Sequence, residues 1–163
     1  MKGKPTIVLG IDPGYGRCGF GLIQESGNDY RCLKFGVITT SKEFSHSKRL
    51  AEIADDIESL MTKFQPQILV IEELFFAKST TTALKVAEVR GVILSLAEKK
   101  HLTIREVKPN EVKMAVTGYG KADKRQVQEM VKSIFHFSKK PKPDDAADAL
   151  AIAWTGATKC KFS

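Results

Sequence analysis

Apolar and polar positions along this chain fall into two rhythms. Residues 6–12, TIVLGID, run apolar and β-branched to a single acid and then break at Pro-Gly, which predicts a strand followed by a turn. GFGLIQE and RCLKFGVITT predict two more strands joined by the turn signal SGNDY, so the first forty residues read as an antiparallel three-strand meander. Helical spacing then takes over. Leu50, Ile53, Ala54, Ile57, Leu60, Met61 and Phe64 recur on one face and predict an amphipathic helix over about 47–63. Pro66 ends it, and QILVIEE follows as a short continuous apolar run, the mark of a central strand covered on both sides.

The segment from Thr80 to Lys99 is helical but apolar on more than one side. Leu84, Ala87, Gly91 and Leu94 make one stripe, while Val86, Val89, Ile93 and Leu96 fall largely outside it. One face suffices to cover a sheet, so the other belongs either to a partner surface or beneath a neighbouring helix. LTIREVK predicts a further strand. PNEVKMAVTG predicts a helix opened by Pro109 and closed at Gly118, and DKRQVQEMVKSIF one capped by Asp123. PDDAADALAIAWTGA predicts an alanine-rich last helix. Three strands followed by helices alternating with two more strands give a mixed α/β architecture, with no linker dividing residues 1–163 into separate domains.

Composition changes this picture in two respects. A formal net charge of +7 biases the protein toward polyanions such as nucleic acid. Cys18, Cys32 and Cys160 are odd in number and widely spaced, which suggests neither a disulfide framework nor a cysteine-based zinc site. MKGKPTIV contains no long apolar stretch and no segment is apolar enough to span a membrane, so the expected location is the cytoplasm.

Against the basic background the carboxylates stand out. Asp12 ends the first strand, where open α/β sheets tend to bind ligands. Glu72 and Glu73 end the next central strand, and alternation puts only one of them on the Asp12 side without saying which. Asp145 and Asp148, three apart, share one face in the first turns of the last helix, with Asp144 as a candidate N-cap. Ala146, Ala147, Ala149, Ala151 and Ala153 keep that helix slim enough to approach the sheet closely. Helix-dipole stabilisation accounts for one acid there but not for three. Carboxylates without histidine or cysteine are hard oxygen donors suited to Mg²⁺ or Mn²⁺. Two such ions about 3.5–4 Å apart clamp the attacking and leaving oxygens of a phosphoryl displacement.

Four segments in order, LGIDPGYGRCGFGLI, VIEELFFAKSTTTALKVAEVRG, VKPNEVKMAVTGYGKADKRQVQEMV and PDDAADALAIA, resemble the blocks of the RuvC family of crossover junction endodeoxyribonucleases over essentially the whole chain. The resemblance implies a ribonuclease H-like fold, a five-stranded mixed sheet flanked by helices on both sides, in a homodimer that resolves four-way junction DNA by paired symmetric nicks. Such nicks leave ligatable 5′-phosphate and 3′-hydroxyl ends. It implies catalytic and metal-holding roles for Asp12, Glu72 rather than Glu73, Asp145 and Asp148, with Mg²⁺ or Mn²⁺ and two ions per site. It aligns Phe75 with an aromatic that stacks on a base at the opened crossover, and Lys113 and Lys124 with contacts near the scissile phosphate. Lys121, Arg125, Arg17, Lys78 and Lys85 are further candidate DNA contacts, and the RuvA and RuvB branch-migration proteins are implied partners. A C2 dimer would match the near two-fold symmetry of the junction, with the helix around residues 80–98 as its interface candidate.

Other function classes compete. GIDPGYGRCGFG also resembles the phosphate loop of actin-like ATPases, but those need a second homologous half for which 163 residues leave no room. A catalytically silent binder of branched DNA would not need four acidic positions, and a nuclease acting on RNA–DNA hybrids would not need Phe75 or a dimer helix.

Overall fold

The computed structural model describes residues 3–74 and 80–159. Its elements run β1 (Thr6–Asp12), β2 (Arg17–Ser26), β3 (Asp29–Thr39), α1 (His46–Phe64), β4 (Ile68–Glu72), α2 (Thr80–Lys99), β5 (Thr103–Val107), α3 (Pro109–Thr117), α4 (Lys124–Ile134) and α5 (Asp144–Lys159). One sheet holds all five strands in the order β3-β2-β1-β4-β5. β1, β4 and β5 are parallel, and β2 and β3 form the antiparallel meander. This is the ribonuclease H-like mixed sheet that the resemblance implied, with helices on both faces.

Period-two alternation sorts the strand residues between two cores. Leu9, Ile11, Phe20, Leu22, Leu69 and Ile71 point to one side and bury against Ile53, Ile57 and Met61 of α1 and Val89, Ile93 and Ala97 of α2. Val8, Ile23, Ile68, Val70 and Val107 point to the other, where α3, α4 and α5 close over them. Each core holds many fully buried branched side chains, and each such residue contributes about 1.5–3 kcal/mol relative to exposure.

Local signals set the ends. Ser45 caps α1, its side chain accepting from the Lys48 backbone N–H. Asp123 and Gln126 form a capping box at the start of α4. Pro109 opens α3, and Glu111 accepts from the Lys108 backbone N–H at 2.9 Å. α5 begins at Asp144, which therefore lies inside the first turn and is not the N-cap expected for it. In α2 it is Ala83, Val89, Ile93 and Ala97 that are buried, while Leu94 and Leu96 lie half-buried against the same core. Leu84 is 56% exposed and Gly91 faces open space, so the stripe that begins at Leu84 turns outward at those two positions while its Leu94 leans on the core.

Candidate active site

β1 and β4 are parallel neighbours in register, Ile11 opposite Ile71, so Asp12 and Glu72 end adjacent strands side by side. Residues 8, 10 and 12 of β1 and residues 68, 70 and 72 of β4 share the face toward α5. Glu73 therefore turns away from Asp12. Strand register settles what alternation within one strand left open.

α5 meets that face because nothing bulky intervenes. A methyl group on Gly10 would lie 2.3 Å from the Ala149 carbonyl oxygen, and one on Gly19 would lie 2.1 Å from that of Asp145. Glycine at those two strand positions and alanines on the facing helix allow backbone-to-backbone approach. The approach carries the acidic first turns of α5 to the carboxyl end of β1. One carboxylate oxygen from each of Asp12, Asp145 and Asp148 then lies within 4.8 Å of the others. Glu72 stands beside this trio, lining a cavity of about 310 Å³ with Asp148, Lys113 and Lys124.

Crowding of like charge in a half-buried place has the expected consequence. Burial, then Glu72, Asp148 and Asp145, push the Asp12 carboxyl from 3.8 up to about 8, against a smaller opposing pull from Lys124. Burial and Asp148 raise Glu72, and burial, with smaller contributions from Asp145 and Asp144, raises Asp148 against the pull of Lys124. The donor set is all oxygen and under-neutralised, which fits a hard divalent cation and not zinc.

Two basic side chains partly answer the charge. Arg17 donates from Nε to Asp145 Oδ2 at 2.9 Å. Lys124 lies 3.7 Å from Asp144 and 3.6 Å from Asp148, and these acids hold its ammonium up although burial pulls it down. Arg17 is thus engaged with an acid of the cluster, beyond the backbone-contact role expected for it. Lys113 reaches the Glu72 cavity. Lys121 and Arg125 are exposed at the start of α4, Arg125 beside Tyr119 on the rim of the α3–α4 loop. Lys85 lies 4.8 Å over the Tyr15 ring, on the other flank of the β1–β2 turn. Phe75 and Lys78 lie outside the described residues. Sequence reasoning passed over Tyr15 and its partners on α1 and α2, whose one signal was a lone aromatic inside a glycine-rich turn.

Comparison with known proteins agrees with this architecture. The family model described as crossover junction endodeoxyribonuclease RuvC matches residues 8–156. A protein of that name from Thermosipho melanesiensis is 47% identical over 155 residues, spanning 95% of this chain and 99% of its own. One from Petrotoga mobilis is 46% identical, spanning 91% of each chain. Thermus thermophilus RuvC in complex with Holliday junction substrate superposes with a TM-score of 0.91 at 32% identity, covering 96% of both chains.

Proposed function

The chain belongs to the RuvC family of crossover junction endodeoxyribonucleases, and from that membership we propose that it resolves Holliday junctions in homologous recombination and DNA repair. The reaction is divalent-metal-dependent hydrolysis of a phosphodiester in each of two strands of like polarity, leaving 5′-phosphate and 3′-hydroxyl ends. The observation that carries this reading is the convergence of Asp12, Asp145 and Asp148 oxygens within 4.8 Å beside Glu72, on a protein of net charge +7.

These four acids would hold the metal, Mg²⁺ with Mn²⁺ able to substitute and two ions per site. Ions bound there supply Lewis-acid stabilisation of the charge that develops on the phosphate oxygens. The protein's own groups do the rest. Asp12, at the strand end between Glu72 and α5, would be held deprotonated by a bound cation against the burial and like charge that raise it. Arg17 and Lys124 keep the Asp145 and Asp148 carboxylates oriented and offer positive charge to the incoming backbone. Lys113, Lys121 and Arg125, with Lys85 on the opposite flank, steer the junction in a salt-dependent manner. Phe75 is assigned to stacking on a base at the crossover and Lys78 to a DNA backbone contact. The whole chain acts as one nuclease domain, pairs through the outward face of α2 into a homodimer, and works in the cytoplasm with the RuvA and RuvB proteins. Among the described residues no helix is long and apolar enough to cross a membrane.

A synthetic four-way junction with a mobile core, end-labelled one strand at a time and incubated with Mg²⁺, tests the proposal. Paired symmetric ligatable nicks from the wild type are expected, with none from Asp12→Asn although that variant still binds. An intact junction in both Mg²⁺ and Mn²⁺ across varied core sequences would overturn it.

A further inference from the structure

The turn between β1 and β2 is gripped from a side that the acidic cluster does not use. Tyr15 lies three positions beyond Asp12, and its carbonyl, ring and hydroxyl each have a partner. Its carbonyl accepts from Thr40 Oγ1 at 3.1 Å. The guanidinium carbon of Arg49 stands 3.8 Å over its ring and the Lys85 ammonium 4.8 Å. Its hydroxyl is 3.0 Å from His46 Nδ1, and the far nitrogen of that ring, Nε2, is bonded to Glu88 Oε2. A carboxylate only accepts, so Nε2 carries the proton, and in the neutral ring Nδ1 then accepts from the Tyr15 hydroxyl. The chain of contacts runs from the catalytic turn through α1 to α2.

Arg49 makes this arrangement stiff. It is 8% exposed and has no carboxylate partner among the described residues. Its Nε donates to Thr40 Oγ1 at 2.9 Å, and its guanidinium stacks on the face of Tyr15 in a cation–π contact. Gly16, next in the turn, leaves room for the guanidinium, since a methyl there would lie 3.3 Å from Nη2. On the opposite side of the turn Arg17 is tied to Asp145. The turn that bears Asp12 is therefore fixed at two points, to α5 by Arg17 and to α1 and α2 by Tyr15.

We propose that Tyr15, His46 and Glu88 form a brace that positions the Asp12-bearing turn for strand cleavage, acting from α2 through α1. The proposal rests on the nuclease reading above, and its residues are positioning residues that touch neither metal nor DNA. Small displacements of catalytic groups are costly, since a shift of about 1 Å can slow a reaction about a hundredfold.

Tyr15→Phe keeps the ring under Arg49 and removes only the hydroxyl. Cleavage at saturating junction should slow about tenfold, with junction affinity unchanged. Glu88→Ala should do the same, whereas Glu88→Gln, which still accepts from His46, should restore most of the rate. Because both ends act through one histidine, the variant carrying Tyr15→Phe and Glu88→Ala should be no slower than either alone. Hydrogen exchange at the amides of Gly14, Tyr15 and Gly16 should quicken in Tyr15→Phe and Glu88→Ala, with α5 amides unchanged. Wild-type cleavage rates with unaltered turn exchange would overturn the brace, as would multiplicative slowing in the double variant. Should the wild type itself leave junctions uncut, the nuclease reading falls, and exchange at the turn still decides whether the brace holds it.

Discussion

The two faces of the sheet are built from different materials. Toward α1 and α2 the strands present Leu, Ile and Phe, and the helices answer with Ile53, Ile57, Met61, Val89 and Ile93. Toward α5, β1 and β2 present Gly10, Gly19 and Gly21, and the helix answers with Ala149 and Ala153 at Gly10, the backbone of Asp145 at Gly19 and Leu150 at Gly21. Large side chains set a comfortable layer spacing and forgive small errors by repacking. Where Gly10 meets Ala149 and Ala153, no long side chain is left to yield. Both faces bury a core, and the α5 face also fixes a distance between carboxylates.

The substitution that strikes hardest at this division is Gly10→Val. Its first added carbon would meet Ala149 and Ala153 of α5 at 2.3–2.7 Å. A loss above about 4 kcal/mol in denaturant unfolding is expected, and any folded fraction should fail to cut junctions. Ile57→Ala makes the opposite kind of damage. Ile57 is fully buried in the α1 core, so a loss of about 2–5 kcal/mol is expected, with single-turnover cleavage below the melting temperature within about twofold of wild type. If Ile57→Ala abolished cleavage in folded protein, or Gly10→Val spared it, the two faces would not differ in role.

A subtler effect is confined to the glycine face. Asp12 keeps its proton up to about 8 when folded, against 3.8 ordinarily. Between those values the folded state binds more protons than the unfolded one, so metal-free stability should fall as pH rises from about 4 to about 8. The fall from Asp12 should be on the order of a few kcal/mol, and Asp12→Asn should reduce the slope to the smaller part that Glu72 and Asp148 contribute. Denaturant melts with a chelator at both ends of that window read the slope, and adding Mg²⁺ at the upper end should restore stability by mass action. The smallest effects come from the helix caps. Ser45→Ala on α1 and Asp123→Ala on α4 should each lose about 1 kcal/mol. Only Asp123→Ala should also slow cleavage, because Lys124, the first residue of α4, faces the acids.

Much of this was legible in the sequence, for physical reasons that differ from place to place. Strands and helices followed from periodicity to within a residue or two, because burial on one face imposes that period. The slim last helix and its close approach to the sheet were readable from its alanines, whereas the strand glycines that complete the approach, Gly10 and Gly19, showed their role only in the packing. Glu72 over Glu73 needed either family resemblance or strand register, since one strand cannot fix its own phase against another. The Arg17–Asp145 pair joins residues 128 positions apart. The Tyr15–His46–Glu88 brace joins three elements, with 31 positions between its first pair and 42 between its second. Polar contacts of that kind leave no periodic trace. The second apolar stripe of α2 was foreseen, but which stripe faces the sheet emerged only from packing.

The joining of β1 to α5 also sets a schedule. The carboxylates at the centre of the site come from the earliest strand and the last helix, and the ribosome makes them in that order. A growing chain can assemble its meander and the α1 side of the sheet while Asp12 still lacks Asp145 and Asp148. Until α5 has been made and docked, the cluster lacks two of its three converging acids, and a fragment broken off before α5 carries no completed cluster.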